Sequence, residues 1–151
     1  MKPFQKLLVP VDFSAHSAEA VHVATDLARR YDASLTLIHV YDPLVYALPD
    51  GFTLFTQPQL ERVFEALESQ LAGAKAQAIE AGAARVQTRL LQGTIAGQIT
   101  EYSARGEFDL VVMGTHGRTG MKHLVLGSIA EKVVRTAACP VLTVKKSTTP
   151  H

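Results

Sequence analysis

Four glycines, Gly114, Gly117, Gly120 and Gly127, fall within fourteen residues in the stretch VVMGTHGRTGMKHLVLGSIAEKV. A phosphate group is held by backbone N–H groups that point at it, and glycine permits this by omitting Cβ and by allowing positive φ. A helix N-terminus adds unpaired N–H groups and the positive end of a dipole. An apolar run ends at Gly114 and an amphipathic run opens at Ser128, so loop donors and dipole would meet. Arg118, Lys122 and His123 put positive charge between them, and a guanidinium grips phosphate oxygens in pairs. A plainer reading fits the same residues. SIAE, from Ser128 through Glu131, has the form of a capping box with glycine turns on either side. Local chemistry leaves the anion site and the turn both open.

Other reactive residues narrow the field. Asp12 follows the apolar KLLVPV and precedes a helical pattern, a place that suits a helix cap or a ligand contact at a strand end. Neither G-x-x-x-x-G-K-[ST] nor G-x-G-x-x-G occurs, so the Walker and dinucleotide signatures are missing. No nucleophile lies near a base in sequence, and no acidic pair is placed for a γ-phosphate. Binding is therefore better supported than turnover. His16, His22, His39 and His123 lack metal-ligand spacing. Cys139 is the single cysteine, which excludes an internal disulfide, and its apolar surroundings in AACPVLTV suggest a buried, inert thiol.

These groups need elements to position them. KLLVPVD (6–12) reads as a first strand of the continuous apolar kind that a sheet covered on both faces requires. Ser14 suits an N-cap for a helix with Ala20, Val21, Ala24, Leu27, Ala28 and Tyr31 on one face. SLTLIHVY is the second strand, and residues 43–59 follow as an irregular insertion with Tyr46, Phe52 and Phe55, a lid or a contact surface. Leu60, Val63, Phe64, Leu67, Leu71, Ala74 and Ala78 predict the longest helix, stopped by Gly82. RVQTRLLQG alternates as an edge strand would, a helix covers about 96–104, and LVVMG reads as a central strand. A last helix over 128–136 and the strand PVLTVK (140–145) close the chain. Strands alternating with helices call for a parallel sheet with helices on both faces, an α/β class.

The totals bound the function. With 151 residues, residues 1–146 are expected as one domain and 147–151 as a flexible tail. Fifteen basic against fourteen acidic side chains leave no field that would draw nucleic acid or an anionic membrane. No segment has the length of a membrane span or a secretory core, so a cytoplasmic protein is expected.

The spacing G-x2-G-x9-G-[ST], formed by Gly114, Gly117, Gly127 and Ser128, stands together with LLVPVDFS, LTLIHVY, DLVVMGTHGRTG and AACPVLTVK. In this the chain closely resembles the universal stress protein family, in register along nearly its whole length except the 43–59 insertion. The resemblance implies an open, doubly wound sheet of five parallel strands in the order 3-2-1-4-5, similar to the adenine nucleotide alpha hydrolases. It also implies the ATP-binding branch, with AMP or ADP as alternatives and Mg²⁺ arriving with the nucleotide. On that resemblance Gly114, Gly117, Gly127, Ser128 and Ile129 surround the phosphates through main-chain groups, with His116 and Arg118 as further phosphate contacts. Asp12 takes the ribose hydroxyls, while Pro10, Val11, Val40 and Met113 flank the adenine or its sugar. Gly120 lies outside the pattern and remains a turn. A homodimer through the last strand is implied, with Lys145 and Lys146 limiting further growth, in a stress-response regulator whose protein partners are unknown. Two alternatives remain: an interaction module without nucleotide, and a slow ATPase or self-phosphorylating protein with Ser128 as acceptor.

Overall fold

The computed structural model describes residues 3–43, 55–117 and 126–146. Five strands, β1 (Lys6–Pro10), β2 (Ser34–Tyr41), β3 (Val86–Gln92), β4 (Leu110–Gly114) and β5 (Val141–Val144), alternate with helices. The helices are α1 (Ala15–Tyr31), α2 (Gln57–Glu80), α3 (Ile95–Arg105) and α4 (Ser128–Thr136). All strand pairs are parallel and the order is β3-β2-β1-β4-β5, as the resemblance implied.

The continuous apolar runs have a direct cause. Successive strand residues point to opposite faces, and here each face carries its own core. Leu7, Val9, Leu35, Leu37, Leu110 and Val112 pack with Ala20, Ala24 and Ala28 of α1 and Leu71 and Ala78 of α2. Leu8, Ile38, Val40, Val111 and Met113 pack on the other face with Ala96 and Ile99 of α3 and Ala130 and Val133 of α4. Most positions of β1, β2 and β4 are thus spent inward on one side or the other. The alanine stripe of α1 also lets that helix lie close to the sheet, which matters at the site below.

Three sequence expectations need adjustment. The middle strand is β1, while β4 is interior between β1 and β5. An apolar run reports helices on both faces rather than rank in the strand order. Strand β1 ends at Pro10, although the Val11 N–H still donates to Ile38 O at 2.7 Å. Helix α2 begins at Gln57, earlier than its apolar spacing showed, because Thr56 and Gln59 form a capping box with Pro58 in the first turn. Other features agree. Ser14 caps α1, Gly82 adopts φ +107° beyond α2, and β3 is an edge strand with Gln87, Arg89 and Gln92 exposed. Tyr46, Phe52 and the 147–151 tail lie outside the described residues, and Phe55, just before α2, is exposed.

Candidate functional site

The carboxyl ends of β1, β2 and β4 meet where α1 leaves to one face and α4 to the other. At β1, the chain turns through Asp12 and Phe13, the latter in the left-handed region at φ 64°. Such a backbone costs on the order of 1–3 kcal/mol for a non-glycine residue and persists only where its surroundings impose it. Asp12 Oδ1 accepts from the Ser14 N–H at 2.9 Å, and Ser14 Oγ accepts from the Ser17 N–H at 3.2 Å. Ser14 is therefore the cap, and Asp12 braces the turn that presents it. Among the described residues Asp12 Oδ2 accepts no hydrogen bond, and it faces Gly117, where an added Cβ would stand 2.9 Å from it.

Strand β4 ends in a tight approach of a different kind. A Cβ on Gly114 would come within 2.9 Å of His16 Cβ and 3.1 Å of the His16 carbonyl carbon and oxygen, in the first turn of α1. Beyond it, buried Thr115 donates its N–H to Val144 O at 3.0 Å, and Thr115 O accepts from the Gly127 N–H at 2.7 Å. The two ends of the glycine loop are thus clasped together. A Cβ on Gly127 would lie 3.2 Å from Thr115 O. None of Gly114, Gly117 and Gly127 has positive φ, which among the described glycines belongs to Gly82 and Gly93. Close approach, and not left-handed backbone, is what requires glycine at these three positions.

Helix α4 decides between the two readings of SIAE. Gly127 occupies the N-cap with extended backbone (φ −67°, ψ 162°) and Ser128 is the first helical residue. A capping box needs the serine at the cap and the acid three residues on, whereas Ala130 stands at that third position and Glu131 donates its N–H to Gly127 O. The box does not form. With glycine at the cap, no side chain among the described residues accepts from the first-turn N–H groups, and these are the donors an anion would find.

Helix α3 opens beside it, its N-cap Thr94 likewise making no side-chain cap bond. Between the two N-termini lies a cavity of about 250 Å³ lined by Asp42, Thr94, Ile95, Ala96, Gly97, Ser128, Ile129 and Lys132. Its apolar wall, Ile95, Ala96 and Ile129, continues the core that holds Val40 and Met113. The geometry therefore offers an apolar slot with uncapped helix ends at its rim, and Asp12 with Gly117 across the strand ends.

The sequence-derived residues are placed as follows. Asp12 and Gly117 adjoin, Gly127 sits on the Thr115–His116 backbone, and Ser128 and Ile129 line the cavity. His116 Nδ1 pairs with Thr115 Oγ1 at 3.0 Å, and its ring lies 5.6 Å from that of His16. Pro10 ends β1, half-buried. Val40 and Met113 are buried under α3 and α4, whereas the Val11 side chain is in the opposite core. Both polar backbone groups of Val11 are engaged, by Ile38 O and by His39 Nδ1. Arg118, Gly120, Lys122 and His123 lie outside the described residues. Sequence reading missed Asp42, Thr94 and Lys132, which three separate elements bring together, and the parts played by Thr115, His16 and His39. Cys139 is half-buried, and burial pushes its thiol pKa up, so the sulfur stays protonated at neutral pH. Among the described residues no three His, Cys, Asp or Glu side chains gather as a metal centre would require, and no helix is long and apolar enough to cross a membrane.

Comparison with known proteins agrees with this architecture. A universal stress protein of Methanocaldococcus jannaschii is 38% identical over 146 residues, covering 95% of this chain and 83% of that protein. The solved universal stress protein UspA from Lactobacillus plantarum superposes with a TM-score of 0.80 at 26% identity, covering 95% of this chain and 99% of that one. A universal stress protein solved in complex with cAMP superposes with a TM-score of 0.73 at 25% identity, covering 97% of this chain and all of that one. The model of the universal stress protein family matches residues 3–145. The chain belongs to the universal stress protein family.

Proposed function

We propose that the protein binds an adenine nucleotide, ATP with Mg²⁺, at the carboxyl ends of β1, β2 and β4, and acts as a stress-response regulator in the cytoplasm. The observation that carries this reading is the uncapped start of α4, fastened by Gly127 to Thr115 beside the contact of Gly117 with Asp12. Unpaired N–H groups at a helix start suit phosphate oxygens, and a carboxylate oxygen without a partner among the described residues suits ribose hydroxyls. Gly114, Gly117, Gly127, Ser128, Ile129, His116 and Arg118 surround the phosphates in this account. The base enters the cavity backed by Val40 and Met113, with Pro10 and the backbone of Val11, not its side chain, beneath the sugar. At about 250 Å³, the cavity is below the ~300–1,000 Å³ of ordinary small-molecule sites, so it takes one part of a nucleotide and not the whole. The cAMP complex of a family member supports an adenine ligand. Mg²⁺ travels with the nucleotide, held mainly by phosphate oxygens and water.

Thermal unfolding tests the reading. A ligand at a hundredfold excess over its Kd stabilises the folded state by about 2.7 kcal/mol, which raises Tm by roughly 5–10 °C for a chain of this size. Mg-ATP should produce such a rise in nucleotide-free protein. An unchanged Tm at millimolar ATP would contradict it.

The dimer is proposed on the free edge of β5. That strand ends the sheet, and its apolar Leu142 is 38% exposed. An unpaired edge of this kind is a template for another strand, and a twofold partner closes it. Light scattering in solution should give twice the 16.3 kDa chain mass. A monomer at micromolar concentration would remove the proposal.

A further inference from the structure

Asp12 is held from a place that neither its own loop nor the glycine loop supplies. His39, on β2 and 5% exposed, has Nδ1 at 2.7 Å from Val11 O. A carbonyl only accepts, so Nδ1 carries the hydrogen and donates it. The same ring stacks on Phe13, with centroids 4.8 Å apart and planes at 29°. Val11 and Phe13 flank Asp12. One buried imidazole thus grips both neighbours of the carboxylate, one by a hydrogen bond to the backbone and one by its face.

This double contact accounts for the strained backbone. Phe13 has φ 64° although it is not glycine, and such a conformation needs outside support. The stack against His39 supplies a reason for the Phe13 side chain to lie where that φ puts it, and the bond to Val11 O fixes the peptide ahead of Asp12. Asp12 Oδ1 then meets the Ser14 N–H and Oδ2 meets Gly117. We infer that His39 is a positioning residue for Asp12: it sets the direction of that carboxylate through Val11 and Phe13 without touching ligand. The consequence for ribose recognition rests on the nucleotide reading above; the positioning itself does not.

The test uses two readouts on the full chain. The Ser14 amide, hydrogen-bonded to Asp12 Oδ1, reports the carboxylate's place by its ¹H–¹⁵N shift without any nucleotide, with Asp12→Ala marking the lost bond. His39→Phe keeps an aromatic ring for Phe13 and removes the donor, whereas the His39→Asn amide can replace Nδ1 and omits the ring. In His39→Phe the Ser14 amide should move at least about halfway to its Asp12→Ala position, and His39→Asn should restore part of the shift. Hydrogen bonds to a charged group being worth roughly 10- to 100-fold, ATP should bind wild type by that factor more tightly than 2′,3′-dideoxy-ATP. The ratio should fall to within about threefold in His39→Phe, while the affinity for the dideoxy nucleotide stays within about twofold. His39→Gln, whose amide reaches the Nε2 place and not Nδ1, carries the same test if His39→Phe does not fold. A Ser14 amide at its wild-type position in folded His39→Phe or His39→Gln overturns the inference, whatever the nucleotides do. A wild type that does not distinguish the two nucleotides overturns ribose contact by Asp12, and the Ser14 amide still decides the positioning role.

Discussion

Gly117→Val should leave the fold intact and weaken ATP binding by about 10- to 100-fold, the worth of hydrogen bonds to a charged group. The reason lies in what the new side chain meets. The first atom in its way is Asp12 Oδ2, at 2.9 Å from the added Cβ. That oxygen ends a side chain and is not backbone, so it can give way at a cost to folding no larger than the ~1.5–3 kcal/mol of the Asp12 bond to the Ser14 N–H. In doing so the carboxylate leaves the place from which it would meet a ribose. Calorimetric titration beside urea denaturation separates the two effects. A variant that binds ATP like wild type would remove Gly117 and Asp12 from the site together.

Gly114→Val should do the reverse and act first on stability. Its Cβ would stand 2.9 Å from His16 Cβ and 3.1 Å from the His16 carbonyl carbon and oxygen. These atoms belong to the first turn of α1, which its Ser14 cap and buried alanines hold on the sheet, so they cannot swing away as a side-chain end can. Overpacking of this kind costs about 1–3 kcal/mol and sometimes more, and the valine branches put this case near about 3 kcal/mol. That is a large share of the ~5–15 kcal/mol that separates folded from unfolded domains. The urea midpoint should fall at unchanged slope. A loss below about 0.5 kcal/mol would mean that β4 and α1 do not pack as closely as their backbones indicate.

The contrast between these glycines shows what a sequence can and cannot say. Their spacing was legible, and so were the strands. Leu7, Leu8 and Val9 of β1 and Leu110 to Met113 of β4 are buried under one helical layer or the other, and a run such as LLV or LVVM records that directly. The reason for each glycine was not legible. Omission of Cβ and positive φ were both open, and all three glycines serve close approach, to different neighbours: His16, Asp12 and Thr115. Such neighbours are set by how β4 lies beside α1, which no local pattern encodes. SIAE left two readings open for a related reason. Its composition fits a capping box, but the cap falls on Gly127, one residue earlier, because the Gly127 N–H is already bound to Thr115.

The cavity and His39 were hidden by distance along the chain. Asp42, Thr94 and Lys132 come from the end of β2, the start of α3 and the second turn of α4, and only the crossing of α3 over the sheet gathers them. His39 looked like one histidine without metal spacing. Its partner is a backbone carbonyl twenty-eight residues away, and a carbonyl leaves no mark in a side-chain pattern. The buried polar character of that histidine within SLTLIHVY was the one available signal, because a polar group in an apolar strand must find a partner.

The clasped ends of the glycine loop and the uncapped start of α4 form the proposed seat of an adenine nucleotide. Isothermal titration of Mg-ATP into folded protein from which all copurified nucleotide has been removed addresses it most directly. Saturable binding of one nucleotide per chain is expected, weakened about 10- to 100-fold in Gly117→Val while that variant keeps its fold. No heat of binding and no nucleotide retained by equilibrium dialysis at millimolar Mg-ATP would contradict it.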